Sequence, residues 1–263
     1  MSTGELTGRR AVVTGGGRGI GEAVARALAR AGASVVVAAR TAAEIDAVVE
    51  KLSALGHQAW AIPCDVVDPD SVDELVAAAE ERWGEGGADI LVNNAGAAWS
   101  SPVLRTELED WNRMLAVNAT GTFLCTRAFL PGMMERGWGR VVNIASVAGL
   151  SGARYISAYA ASKHAVIGFT RCVAAEVADK GVTVNAVCPG YVDTPMTDES
   201  LRRISEKTGL SEKEALELIL ARTPQGRLIE PAEVAHAVLS LCGAAARGIN
   251  GQSIVIDGGE LLC

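Results

Sequence analysis

The sequence predicts an α/β protein: one doubly wound sheet of about seven parallel strands with helices on both faces. Three observations carry that reading. The strand segments are apolar along their whole length, as strands buried on both faces must be. Segments with a helical apolar period separate most of them, and right-handed crossovers then build a parallel sheet. No linker, repeat or low-complexity tract interrupts the 263 residues, so 1–263 reads as a single domain.

Taken in order, Ala11-Val-Val is a short strand that runs into Thr14-Gly15-Gly16-Gly17-Arg18-Gly19-Ile20-Gly21. A helix follows through about Arg30, because Ile20, Val24, Ala27 and Leu28 form one apolar stripe. Residues 34–39 are rich in β-branched Val and form a strand. A helix over 42–55, a strand over 59–62 and a helix over 71–83 come next. Residues 89–92 are a strand ending at Asn93-Asn94-Ala95-Gly96. The stretch 108–134 is long and mostly helical, and Pro131 predicts a kink or stop near its end. Residues 140–144 are a strand that delivers Ala145-Ser146, 157–179 a helix, and 182–187 a strand. A helix over 231–241 has Pro in its first turn, and 253–256 is the last strand. The charged segment 196–222 has a helical pattern and a capping box, Ser211-Glu-Lys-Glu214. It lies between a strand end and the next core helix, which marks it as a lid within the same domain.

Composition narrows the function. The formal charge is −7 and no Lys/Arg block appears, which argues against nucleic acid and anionic membranes as partners. No apolar run approaches the ~18 residues of a membrane span, and residues 1–10 lack the apolar stretch of a signal peptide. Cys64, Cys125, Cys172, Cys188, Cys242 and Cys263 are scattered, with no CxxC and no Cys/His pair at zinc spacing. They read as reduced thiols of a cytoplasmic protein without a metal site, Cys263 being the one with reason to be exposed.

Ligands of such sheets bind at the carboxyl ends of the strands, and the informative residues fall there. The first strand feeds Gly15-x-x-x-Gly19-x-Gly21, which opens a helix. Glycines let backbone approach a pyrophosphate, and a helix N-terminus favours negative charge. The GxGxxG spacing itself is absent. After the second strand, where dinucleotide folds often carry an acid for the ribose hydroxyls, the chain has Ala39 followed by Arg40. Arg40, with Arg18 from the glycine loop, suits a ribose 2′-phosphate. This favours NADP(H), with NAD(H) still possible. Tyr159 and Lys163 stand four apart, on one helix face, with Ser146 upstream. A nearby ammonium is expected to lower the phenol's pKa from ~10, which makes the pair a general acid/base. Ser146 supplies a hydroxyl to hold a carbonyl oxygen.

The glycine loop, Asn93-Asn94-Ala95-Gly96, Ser146 and Tyr159/Lys163, in that order, resemble the short-chain dehydrogenase/reductase family, most of all its 3-oxoacyl thioester and polyketide ketoreductase branch. Val184-Asn-Ala-Val-Cys-Pro-Gly190 and Ile256-Asp-Gly-Gly259 extend the resemblance over nearly the whole chain. It implies a Rossmann-type fold and a homotetramer packed through 108–134 and 157–179. It implies that Tyr159 transfers the proton, that Lys163 lowers the Tyr pKa and binds the nicotinamide ribose, and that Ser146 orients the carbonyl. Asn118 would hold a water in a relay to Lys163. The cofactor is expected against Gly15, Gly17, Arg18, Gly19, Ile20, Gly21, Arg40, Asp65, Val66, Asn94, Ala95, Gly96, Tyr159, Lys163, Pro189, Gly190, Val192 and Thr194.

Trp99 lies just beyond the Asn-Asn-Ala-Gly turn and is a candidate pocket wall, with Tyr155, Tyr191 and Met196. Tyr155 is no catalytic tyrosine, because the residue four further on is Tyr159. His57, His164, His236 and Met133-Met134 read as structural. The expected activity is NADPH-dependent reduction of a ketone, either a 3-oxoacyl thioester or a cyclic ketone. A carrier-protein partner would need a basic patch; Arg136, Arg140 and Arg171 are available, but Glu135 and Glu176 interrupt them. The alternatives are an NAD-dependent alcohol or 3-hydroxyacyl-CoA dehydrogenase with the same site, and a non-catalytic nucleotide-binding protein.

Overall fold

A computed structural model describes residues 4–84 and 87–261. Seven strands form its sheet: β1 (Arg10–Thr14), β2 (Ser34–Ala39), β3 (Ala59–Pro63), β4 (Ile90–Asn93), β5 (Gly139–Ile144), β6 (Val182–Pro189) and β7 (Ser253–Ile256). Their order is β3-β2-β1-β4-β5-β6-β7, and every pair is parallel. Strand order reverses between β1 and β4, which opens a crevice above their carboxyl ends.

The helices are α1 (Gly19–Arg30), α2 (Ala42–Ala54), α3 (Pro69–Trp83), α4 (Leu108–Leu115), α5 (Gly121–Glu135), α6 (Ser157–Glu176), α7 (Pro195–Thr208), α8 (Glu212–Leu220) and α9 (Pro231–Cys242). Each strand feeds both faces of the sheet, because successive side chains alternate. Val13, Val37 and Val92 join Leu28 of α1, Ile45 of α2 and Val238 of α9 in one core. Val12, Val36 and Leu91 join Leu75 of α3, Phe129 of α5 and Val173 of α6 in the other. The unbroken apolar strands are therefore the signature of a sheet covered on both sides.

Element boundaries follow local chemistry. The α3 helix begins two residues before the expected start, because Asp68 caps it through the Asp70 N–H and Pro69 suits its first turn. The 108–134 stretch is helical throughout but is not uniform: α4 and α5 are joined by a π-helical turn, Ala116–Thr120, centred on Asn118. Pro131 does not stop α5, which runs to Glu135. Pro131 is exposed, so water can satisfy the carbonyl that its missing N–H leaves unbonded. The helix ends where Gly137 turns left-handed at φ 64°. The 196–222 segment is two helices, α7 and α8, and the Ser211/Glu214 capping box opens α8.

Two polar features of the interior escape pattern reading. Asn93 donates to Thr126 Oγ1 and Asn143 Oδ1, and Asn143 donates to Thr170 Oγ1, so a buried polar chain ties α5, β4, β5 and α6 together. Arg140 is only 2% exposed. Its guanidinium stacks on Trp138 and donates to the Gly139 carbonyl, so it is unavailable as a docking residue. Arg136 is likewise spent on Asp89 and the Ala88 carbonyl. The basic patch expected for a carrier protein therefore shrinks to Arg171. Cys64, Cys125, Cys188 and Cys242 are buried free thiols and Cys172 is exposed; Cys263 lies outside the described residues.

Candidate active site

A groove starts at the glycine loop. Gly15, Gly17, Arg18, Gly19 and Ile20 form one wall, with Arg40, Asp65, Val66, Asn94, Ala95 and Gly96 opposite. Gly15 has φ 61°, and a Cβ there would lie 2.8 Å from Ala95 Cα. Gly21 does not line the groove. It lies beneath it, where a Cβ would strike the Gly15 carbonyl oxygen, so its task is to let the loop fold onto α1. Asn94 locks this arrangement by donating to the Thr14 and Gly15 carbonyls at 3.0 and 2.9 Å. Arg18 precedes α1 without a side-chain cap, which leaves the first N–H groups of the helix open to an anion. This cradle of open N–H donors, with no room for side chains, fits a dinucleotide pyrophosphate.

At the far end of the groove Arg40 is exposed and Arg18 donates to Glu44 Oε1 at 3.4 Å. Glu44, in the first turn of α2, was not anticipated from sequence. It lines the groove and shares the charge of one arginine assigned to a 2′-phosphate.

The groove opens into a larger chamber, and Ile20, Asn94, Gly96, Thr194 and Met196 line both. The chamber has a volume of about 820 Å³ and reaches Ser146, Tyr159 and Lys163 at its base, with Pro189, Gly190 and Val192 beside them. Trp99, Tyr155, Tyr191 and Met196 all line it. Ser146, at the end of β5, accepts from the Ala148 N–H at 3.1 Å and is hydrogen-bonded to Tyr159. Lys163 is 5% exposed and donates to the Ile144 carbonyl at 2.9 Å.

The structure reverses the downward shift expected of the tyrosine from its spacing to Lys163. Burial pushes the Tyr159 phenol up, and the Ser146 hydrogen bond offsets this only in part. Lys163 Nζ stands 5.9 Å from the phenol ring centroid and is itself brought down to about 8 by burial. Desolvation is the largest influence on both groups, and it holds the phenol protonated at neutral pH. Cys188 behind them is pushed up to about 11 by burial and stays a neutral thiol.

Asn118 lines neither cavity. It is 1% exposed, accepts from the Ala97 N–H, and donates to the Ala97 carbonyl and Ser162 Oγ, each at 2.9 Å. Ser162 in turn donates to the Tyr159 carbonyl at 2.7 Å. The π-helical turn thus holds the 94–98 loop against the catalytic helix.

The model of the short chain dehydrogenase family matches residues 9–204. The chain belongs to the short-chain dehydrogenases. It is 42% identical over 259 residues to a 3-oxoacyl-[acyl-carrier-protein] reductase of Synechocystis, covering 98% of each chain. It is 39% identical over 254 residues to a D-beta-hydroxybutyrate dehydrogenase of Rhizobium meliloti, covering 95% of this chain and 98% of that one. The crystal structure of an actinorhodin polyketide ketoreductase with NADPH superimposes with a TM-score of 0.92 at 39% identity over 99% of both chains. As a short-chain dehydrogenase the protein is a nicotinamide-dependent oxidoreductase of the alcohol–carbonyl type.

Three features of the chamber left no mark in the sequence pattern. Tyr155 has φ 71°, the one non-glycine residue in the left-handed region among the described residues. Such strain clusters at functional sites. Arg113, Arg203 and Lys207 surround the Trp99 indole at 5.2, 5.0 and 5.7 Å from its centroid. Trp99 Nε1 is buried and has no acceptor among the described residues.

Proposed function

We propose that this short-chain dehydrogenase is an NADPH-dependent ketone reductase whose substrate is a 3-oxoacyl thioester or a cyclic ketone. The observation that carries the reading is the Tyr159 phenol, held protonated by burial and hydrogen-bonded to Ser146 at the base of the chamber. A reduced nicotinamide, when bound, supplies the hydride that a carbonyl carbon accepts. Ser146 and Tyr159 hold the carbonyl oxygen between two hydroxyls, and Tyr159 donates its proton as negative charge develops there. Lys163, within the same buried face, stabilises the phenolate left behind. Asn118 acts as a positioning residue through Ala97 and Ser162, and the relay to Lys163 draws on a water held at this turn.

NADPH is supported by the absence of an acid at Ala39 and by Arg40 and Arg18 on the groove. The Arg18–Glu44 pair favours the second reading, an NAD-dependent dehydrogenase, because it draws one arginine away. The chamber volume of about 820 Å³ suits an extended acyl chain or a ring system better than a minimal hydroxy acid. A coenzyme A ester or free ketone fits better than a carrier-bound one, since Arg136 and Arg140 are committed elsewhere. The helices of 196–222 act as the lid: Arg203 and Lys207 donate to the Ala98 and Ser100 carbonyls across the chamber mouth. A homotetramer is supported by Trp111 and Phe123, apolar and 36% and 40% exposed on α4 and α5. Among the described residues no helix is long and apolar enough to cross a membrane, and the buried free thiols suit a reducing cytoplasm.

The test titrates the purified protein with NADPH and NADH, then follows the reduced-nicotinamide absorbance over a panel of acyl thioesters and cyclic ketones. NADPH oxidation with one ketone class is expected. Preference for NADH with activity mainly toward alcohol oxidation would overturn the reading. Arg40→Asp should weaken NADPH binding and improve NADH use; unchanged kinetics would remove the cofactor argument.

A further inference from the structure

The chamber mouth carries a charge that the chain as a whole does not. The protein has a formal charge of −7. Yet the charged residues lining the chamber are Arg105, Arg154, Lys163, Arg203, Lys207 and Arg222 against the single acid Glu260. Glu260 is already paired with Arg222 at 3.5 Å. Lys163 belongs to the base, and Arg203 and Lys207 are spent on the Ala98 and Ser100 carbonyls. Arg105 and Arg154 remain. Both are exposed, both line the chamber, and among the described residues neither guanidinium has a hydrogen-bond or ion-pair partner.

The backbone brings these two arginines to one rim. Arg105 closes the short turn Val103–Arg105 of the loop after β4, and Arg154 lies on the loop after β5. The Ser101 N–H donates to the Tyr155 carbonyl at 2.7 Å and ties the two loops together. Tyr155, next to Arg154, is the residue held at φ 71°. A tyrosine in that conformation costs on the order of 1–3 kcal/mol, so the loop is held in a costly shape that keeps the second arginine at the mouth. Two unpaired guanidinium groups lining one chamber offer charge-assisted donors that an anion of the substrate can take up. Guanidinium groups in particular match the planar oxygens of a carboxylate or phosphate.

We propose that Arg105 and Arg154 form an anion subsite at the chamber mouth, and that the substrate is a ketone bearing a carboxylate or phosphate at the end remote from its carbonyl. The ketone sits at Ser146 and Tyr159, the apolar body lies along Trp99, Tyr191 and Met196, and the anionic end reaches the two arginines. This inference rests on the ketone-reductase reading for the position of the carbonyl. The anion has two sources, a phosphate of a coenzyme A thioester or the carboxylate of an oxo acid.

The experiment compares acetoacetyl-coenzyme A with the neutral acetoacetyl N-acetylcysteamine thioester, and 4-oxopentanoate with its methyl ester, for the native protein and the R105Q/R154Q variant. Melting curves confirm that the variant is folded. The native protein should prefer one anionic member by roughly tenfold or more in kcat/KM, and the variant should lose most of that ratio. The advantaged pair names the source. Equal kcat/KM for charged and neutral members of both pairs, or a ratio unchanged in the variant, would overturn the subsite. If no ketone is turned over, the reductase reading fails by itself. The subsite is then judged by calorimetric titration of the NADP-saturated protein with coenzyme A and with 4-oxopentanoate. Binding weakened about tenfold in the variant supports it, and no binding or equal binding rejects it.

Discussion

The groove and the chamber meet at Asn94, Gly96 and Thr194 but are made from different parts of the polypeptide. The groove is built from backbone: glycines without room for a Cβ, and loop carbonyls pinned by Asn94. The chamber is built from side chains on loops and on two peripheral helices, and its polar atoms are poorly matched. Among the described residues Trp99 Nε1 has no acceptor, three cations crowd its ring, and Tyr155 is strained. A backbone cradle with no room for a Cβ tolerates little variation. A side-chain chamber can change its ligand without disturbing the sheet. Tyr159 and Lys163 stand at the base of the chamber, where a buried ammonium below a half-buried phenol trades stability for chemistry.

Five substitutions probe this contrast, taken from the largest effect to the smallest. At the chamber base, Tyr159→Phe should lower kcat by roughly 10²–10⁴-fold with cofactor affinity unchanged, measured by turnover and by fluorescence titration of bound NADPH. Retained turnover would remove Tyr159 from the chemistry.

Lys163→Met should abolish activity yet raise stability near neutral pH. The native-state pKa of Lys163 is depressed from 10.5 to about 8, so the unfolded chain binds more protons between those values. The Lys163 contribution to native stability should therefore rise from pH 8 to 10.5, while below pH 8 the buried charge costs up to about 3 kcal/mol; the Cys125, Cys188 and Cys242 thiols, raised from 9 to about 12, 11 and 12, act in the opposite sense above pH 9 in native protein and variant alike. Denaturant titrations across that window should show the stability difference between variant and native protein closing as the pH rises. A shared slope would place the titration elsewhere.

In the groove, Gly15→Ala forces a Cβ onto Ala95 and should cost about 1–3 kcal/mol of stability together with NADPH binding. In the chamber, Lys207→Met removes a cation from Trp99 and the bond to the Ser100 carbonyl, for less than about 1 kcal/mol. Its signature should instead be faster amide exchange over 97–101. A melting shift as large as that of Gly15→Ala would erase the distinction between the two regions. The smallest effect is expected at Glu44→Gln, which frees Arg18 and should tighten NADPH by about threefold relative to NADH. Loosened NADPH binding would show that Glu44 supports the phosphate site.

What could be read in advance and what could not divides along the same line. The parallel sheet, the glycine loop, the place of Ser146 at a strand end, the Tyr159/Lys163 spacing and the Ser211/Glu214 cap follow from local rules: apolar runs, a glycine-rich turn into a helix, residues four apart on one helix face and a capping box. Each concerns residues close in sequence, where backbone geometry alone sets the distances. Other features depend on contacts between distant segments. The Arg18–Glu44 pair joins α1 to α2, Arg203 and Lys207 reach back across more than a hundred residues to the 98–100 loop, and the loops that carry Arg105 and Arg154 are tied together by the Ser101–Tyr155 bond. The burial of Arg140, which withdraws it from any docking surface, and the raised pKa of Tyr159 also belong here. Whether a charge is solvated or stripped of water is a property of the folded surroundings, and the energy of ionisation turns on that surrounding far more than on the neighbour four residues away.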